Sequence, residues 1–115
     1  MRISQIPKML KEHIESVAHT LPSHLEKVVL FGSYARGEAT LRSDVDIALV
    51  FAEGTEVNPR DRAFIREELE TLVDPVEINL FTTCKSQLDT DNKLNANYWI
   101  REEGYVLWEN LHINT

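Results

Sequence analysis

The chain contains a single cysteine, Cys84, among its 115 residues. A disulfide within one chain is thereby excluded, and so is a metal site built from cysteines. A lone thiol fits a reducing compartment. No apolar run approaches the length of a bilayer span. The opening MRISQIPKMLKEHIESV is charged and periodic, unlike the continuous apolar core of a secretion signal. The expectation is a cytoplasmic protein with no membrane association. Cations are scarce as well: 12 Lys and Arg stand against 19 Asp and Glu, a formal net charge of −7. Such a surface does not suit extended nucleic acid, which needs clustered cations. It still admits one nucleotide whose phosphates are neutralised by a metal ion. Glycine is rare too, with four in the chain, and three of them, Gly32, Gly37 and Gly54, fall close together. Internal repeats and low-complexity segments are lacking.

What is present describes a single domain over residues 1–115 with one modest core. Ile6, Met9, Leu10, Ile14, Val17 and Leu21 recur at helical spacing, which predicts an amphipathic helix over 3–21, capped by Ser4 and stopped by Pro22. His13 and His19 lie off that stripe, six residues apart, and read as solvent-facing. EKVVLF (26–31) predicts a buried strand running into Gly32-Ser33, then a short helical turn over 33–38 closed by Gly37. DVDIALVF (44–51) predicts a second strand, with Asp44 and Asp46 on one face and Val45, Ile47, Leu49 and Phe51 on the other.

Asn58 and Pro59 open a predicted helix over 59–73 with Phe64, Ile65, Leu69, Leu72 and Val73 inward. VEINLF (76–81) predicts a third strand, and 82–92 a polar loop. A last helix over 93–103 would turn Leu94, Tyr98 and Trp99 inward, with Gly104 as its left-handed stop. YVLW (105–108) is a final strand, followed by a tail expected to fray from Glu109. The expected fold class is α+β or mixed α/β: a small mixed sheet flanked by helices.

Three features of this layout bear on chemistry. A strand ending in Gly32-Ser33 and opening a helical turn lets a phosphate approach the bare backbone. Asp44 and Asp46 fall on one face of a strand, about 6–7 Å apart along the backbone. Side by side they repel, and Mg²⁺ would relieve that repulsion by taking oxygen ligands shared with substrate phosphates. Glu77, on the polar side of a later strand, could be a third ligand or a base, with Asp74 as its competitor. Each feature alone also has a plain structural reading as a turn, an exposed strand edge or a solvent-facing acid. Their order along the chain is what metal-assisted nucleotide transfer requires.

Gly32-Ser33, ten intervening residues and Asp44-Val45-Asp46 match the G-S-x10-D-x-D signature of the DNA polymerase β-like nucleotidyltransferases. The run GSYARGEATLRSDVDIALV and the closing REEGYVLW resemble the minimal nucleotidyltransferases (MNT) of prokaryotes, a likeness covering about residues 25–108. That resemblance implies a polymerase β-like core, ATP as substrate, and two Mg²⁺ ions, with Mn²⁺ as the alternative. By position it assigns Gly32 and Ser33 to the triphosphate and Asp44 and Asp46 to the metals, with Glu77 where the family usually has an aspartate. Arg36 could reach the phosphates or pair with Glu38; Arg42 and Ser43 could touch the nucleotide or steady the loop; Lys85 is a weaker candidate.

Many stand-alone proteins of this type resemble the antitoxin half of a HEPN/MNT toxin–antitoxin pair. The resemblance therefore implies AMP transfer to a hydroxyl, that of a tyrosine, on a helical HEPN-domain toxin, within a hetero-oligomer. Trp99 and Trp108 would serve either as core anchors or as partner surface. Two other functions stay open: a non-catalytic antitoxin that neutralises by contact, and a stand-alone enzyme modifying a small molecule.

Overall fold

The computed structural model describes residues 2–111. Five helices and four strands follow in order: α1 (Ile6–Ser16), β1 (Leu25–Phe31), α2 (Ser33–Arg36), β2 (Val45–Phe51), α3 (Pro59–Val73), β3 (Ile78–Cys84), α4 (Lys85–Leu88), α5 (Ala96–Glu103) and β4 (Tyr105–Glu109). The sheet order is β3-β2-β1-β4. β1 runs antiparallel to both β2 and β4, and β2 runs parallel to β3 across the α3 connection. The mixed sheet flanked by helices is the architecture expected. Among the described residues no helix is long and apolar enough to cross a membrane.

Two cores account for the layering. The larger joins Ile6, Leu10 and Ile14 of α1 and Ile65, Leu69 and Val73 of α3 to one sheet face. Fully burying each such side chain contributes about 1.5–3 kcal/mol. The smaller sets Ile100 of α5 on Val29, Ala48 and Val50 of the other face, with Phe31, Phe81 and Leu88 alongside. Covered on both faces, β2 is buried at every position except Asp46. Asp46 is thus the one half-buried carboxylate in an otherwise apolar strand.

Several boundaries differ from the sequence expectation. The first helix ends at Ser16, and Ala18–Thr20 forms a separate 3-10 turn. A further 3-10 turn, Ile3–Gln5, precedes α1, so Gln5 and not Ser4 is the residue before the helix. His13 does not face open solvent but hydrogen-bonds Glu68 of α3 at 2.8 Å. β3 starts two residues late and runs to Cys84, because Val76 is held in the turn by its N–H bond to the Val73 carbonyl. Polar Thr82 and Thr83 still fit the strand: they are β-branched, and their hydroxyls find Arg62 and Asn97.

α5 begins only at Ala96, capped by the Asn95 side chain at 2.9 Å. Leu94 is left 96% exposed, and Asn97 and Ile100 turn inward instead. Phe64 and Trp99 are likewise exposed, whereas Trp108 packs on the larger core. Gly104 is not left-handed (φ −64°). A Cβ there would collide with the Ile100 carbonyl and Val29, so close packing explains this glycine. Glu109 closes β4 rather than fraying; the tail beyond residue 111 lies outside the described residues.

Candidate active site

The site lies where β1 ends and β2 begins. Their antiparallel register sets Phe31 opposite Asp46, so the residue after Phe31 meets the aspartate. That residue is Gly32, with φ +75° and ψ −153°, a conformation side chains rarely adopt. A Cβ on Gly32 would collide with Asp46 Oδ2. The backbone angle calls for glycine, and a Cβ there would in addition displace the Asp46 carboxylate. Ser33 follows, half-buried, and its hydroxyl has no protein partner among the described residues. Gly37, φ +73°, stops α2 in the left-handed conformation expected of it.

The connecting loop is tied by its own side chains. Ser43 Oγ accepts the Thr40 N–H at 2.8 Å, and the Ser43 N–H donates to the Thr40 carbonyl at 3.1 Å. Ser43 thus steadies the loop that delivers Asp44; Arg42 is exposed. Arg36 turns away from the glycine turn. Its Nε donates to Glu38 at 3.0 Å and its Nη1 to Glu103 of α5 at 3.3 Å. These two hydrogen bonds, that to Glu38 foremost, raise the guanidinium above its ordinary value. Lys85 opens α4 and, with Glu53, Asp89 and Arg101, lines a groove that includes neither Asp44 nor Asp46.

Asp44 and Asp46 come together at one point: Asn79 of β3. The parallel register places Asn79 opposite Asp46. Its Nδ2 donates to Asp46 Oδ1 at 3.0 Å and to Asp44 Oδ2 at 3.3 Å. Neither aspartate has an ion-pair partner among the described residues. The charge of Asp44, secondary to burial, raises the Tyr34 hydroxyl above its ordinary value.

Glu77 is placed differently from the expectation. It precedes β3, is exposed, and gives its carbonyl to the Val45 N–H at 2.8 Å. It lines a groove with Arg66, Glu70 and Asp74. Among the described residues no third His, Cys, Asp or Glu joins the two aspartates in a metal-holding group. Asn79 is the site residue the sequence reading missed. Its signal was the strand alternation that set it beside Glu77, but an uncharged residue there drew no attention.

Phe31 and Phe81 adjoin the aspartates on the same face, their rings edge-to-face at 6.3 Å and 72°. The donor set suits a hard divalent cation: two carboxylates on one strand face without a cation partner, beside a turn where a Cβ would not fit.

Comparison with known proteins identifies the family. The family model described as a nucleotidyltransferase domain matches residues 10–96. A candidate protein adenylyltransferase of Methanocaldococcus jannaschii is 31% identical over 80 residues, covering 70% of this chain and 77% of that protein. A second from the same organism is 42% identical over 43 residues, 37% of this chain and 43% of its own length. The match thus spans under half of that relative. A candidate nucleotidyltransferase from Sulfolobus solfataricus has a similar structure, with TM-score 0.56 and 25% identity over 96% of this chain and 90% of that one. The fold is also shared with a chain of a toxin–antitoxin complex solved with AMP-PNP, with TM-score 0.62 and 20% identity over 90% and 77% of the two chains. A complex of tri-AMPylated Shewanella oneidensis HEPN toxin with MNT antitoxin gives TM-score 0.57 and 18% identity over 94% and 76%. The chain belongs to the nucleotidyltransferase-domain family.

Proposed function

We propose that this nucleotidyltransferase moves AMP from ATP to a hydroxyl of a HEPN-type toxin, a tyrosine hydroxyl by preference, and so acts as its antitoxin. The observation that carries the reading is the close approach of Gly32 to Asp46, with Asp44 just before the same strand and joined to Asp46 through Asn79. It joins a place for phosphate to a pair of cation ligands. The relatives named as adenylyltransferases support AMP as the group moved. The toxin–antitoxin complexes sharing this fold support the partner.

In this reading Asp44 and Asp46 hold Mg²⁺, which neutralises the triphosphate and the departing pyrophosphate when bound. Gly32 admits the phosphates to the backbone, and the Ser33 hydroxyl and N–H bind them. Ser43 keeps Asp44 in place. The acceptor oxygen bonds to the α-phosphorus, the α–β bridging bond breaks, and pyrophosphate leaves. The hydroxyl proton passes to one of the two aspartates or to water. Positioning and electrostatics supply the rate. Arg36 reaches phosphate only by leaving Glu38 and Glu103. Glu77 stands outside the cation's ligands.

The test is incubation with a HEPN toxin, ATP and Mg²⁺, read by mass spectrometry. The toxin gains one or more AMP units, and the gain is abolished by Asp44→Asn with Asp46→Asn. A non-catalytic antitoxin is the second reading, favoured by the amide of Asn79 beside the pair instead of a third carboxylate. It requires the double variant to silence the toxin as well as the parent does.

A further inference from the structure

We infer that Asn79 is a positioning residue that clamps Asp44 and Asp46 side by side. It thereby fixes the site as a two-carboxylate centre that draws its remaining cation ligands from the nucleotide. The inference rests on the nucleotidyltransferase reading of this site. Its physical basis is the amide's two hydrogens. One nitrogen donates to both carboxylates, 3.0 Å to Asp46 and 3.3 Å to Asp44, joining groups that would otherwise only repel.

The clamp is itself held. Its neighbours Ile78 and Leu80 are buried on the opposite face of β3. β3 is an edge strand, and two α3 arginines cover its outer carbonyls. Arg66 Nη1 donates to the Ile78 carbonyl at 3.1 Å, and Arg62 Nη2 to the Leu80 carbonyl at 2.6 Å. Asn79 lies between these two anchored residues. A chain of contacts therefore runs from α3 through the edge of the sheet to the aspartate pair.

The charge at this position decides how the cation arrives. A carboxylate at residue 79 would add a third negative group and help to hold the ion without nucleotide. An amide donor adds no charge and organises the two carboxylates already there. Mg²⁺ held by one or two carboxylates completes its shell with substrate phosphates and water. Cation and nucleotide should therefore bind this chain together, each weakly without the other.

The test measures Mn²⁺ binding by electron paramagnetic resonance, with and without AMP-PNP, alongside the Tm of the metal-free protein. In the parent, AMP-PNP strengthens Mn²⁺ binding at least tenfold. Asn79→Ala weakens the joint binding about 10–100-fold, the usual effect of losing a residue that orients a ligand. It also lowers the metal-free Tm. The isosteric Asn79→Asp strengthens nucleotide-free Mn²⁺ binding and lowers the metal-free Tm, because three acids then crowd together. The inference is overturned if Asn79→Ala binds Mn²⁺ with AMP-PNP as the parent does, or if Asn79→Asp leaves nucleotide-free binding unchanged. Asp44→Asn with Asp46→Asn separates the two levels. Loss of binding there with parental behaviour at residue 79 removes only the clamp; retained binding removes the nucleotidyltransferase site itself.

Discussion

Gly32 lies against the carboxylate of Asp46 so closely that a methyl group on its Cα would overlap Oδ2. Gly37, five residues later, has nearly the same φ and nothing within 4 Å of a Cβ. The pair separates backbone strain from site disruption. Gly37→Ala should cost only the left-handed penalty, about 1–2 kcal/mol. Gly32→Ala should cost more than Gly37→Ala in urea unfolding, because φ +75° with ψ −153° is essentially glycine-only and the Cβ also meets Asp46, and it should abolish calorimetric binding of ATP with Mg²⁺. Equal ATP binding by the two variants would refute the role given to the contact.

The smaller core contains a buried polar pair. Thr83 Oγ1 donates to Asn97 Oδ1, and both side chains are largely inaccessible. Asn97→Ala leaves the threonine hydroxyl only the longer alternative to Gln87 Oε1 at 3.2 Å and should cost about 0.5–1.5 kcal/mol, the net worth of one hydrogen bond. Replacing both partners, Thr83→Val with Asn97→Leu, should recover part of the loss, since no unsatisfied group remains. A double-mutant cycle by denaturant unfolding measures the coupling.

The glycine–aspartate contact and the Asn79 bonds differ in how far the sequence exposes them. Gly32, Ser33, Asp44 and Asp46 are close in sequence, and strand alternation suffices to put the aspartates on one face. Asn79 was hidden because its role depends on the register of a parallel strand. That register is fixed by the turn at residues 74–77 and by the Val45 N–H bonding the Glu77 carbonyl, neither of which leaves a local pattern. Residue type favoured Glu77, whereas the pairing brings Asn79 to the site. The last helix shows the same limit. Leu94 fits an apolar stripe, but the Asn95 cap starts the helix after it and turns Asn97 and Ile100 inward.

Glu53 accepts the N–H of Ser86 at 2.6 Å and its hydroxyl at 3.0 Å, fastening the loop after β2 to the start of α4. These bonds, the backbone one foremost, hold its carboxyl below the ordinary value. A lowered folded-state value stabilises above the unfolded-state value and is lost as pH falls through the folded one. The parent should therefore lose more stability than Glu53→Gln on acidification below about pH 4.3, the ordinary glutamate value. Thermal melts of both proteins across that range check the sign.

Transfer through the Asp44–Asp46 pair is tested most directly by ATP labelled in turn at the α- and γ-phosphate, incubated with Mg²⁺ and a HEPN toxin. The α-label should move to the toxin, the γ-label should not, and Asp44→Asn with Asp46→Asn should abolish the transfer. Transfer of the γ-label, or α-label transfer undiminished in the double variant, would contradict the assignment.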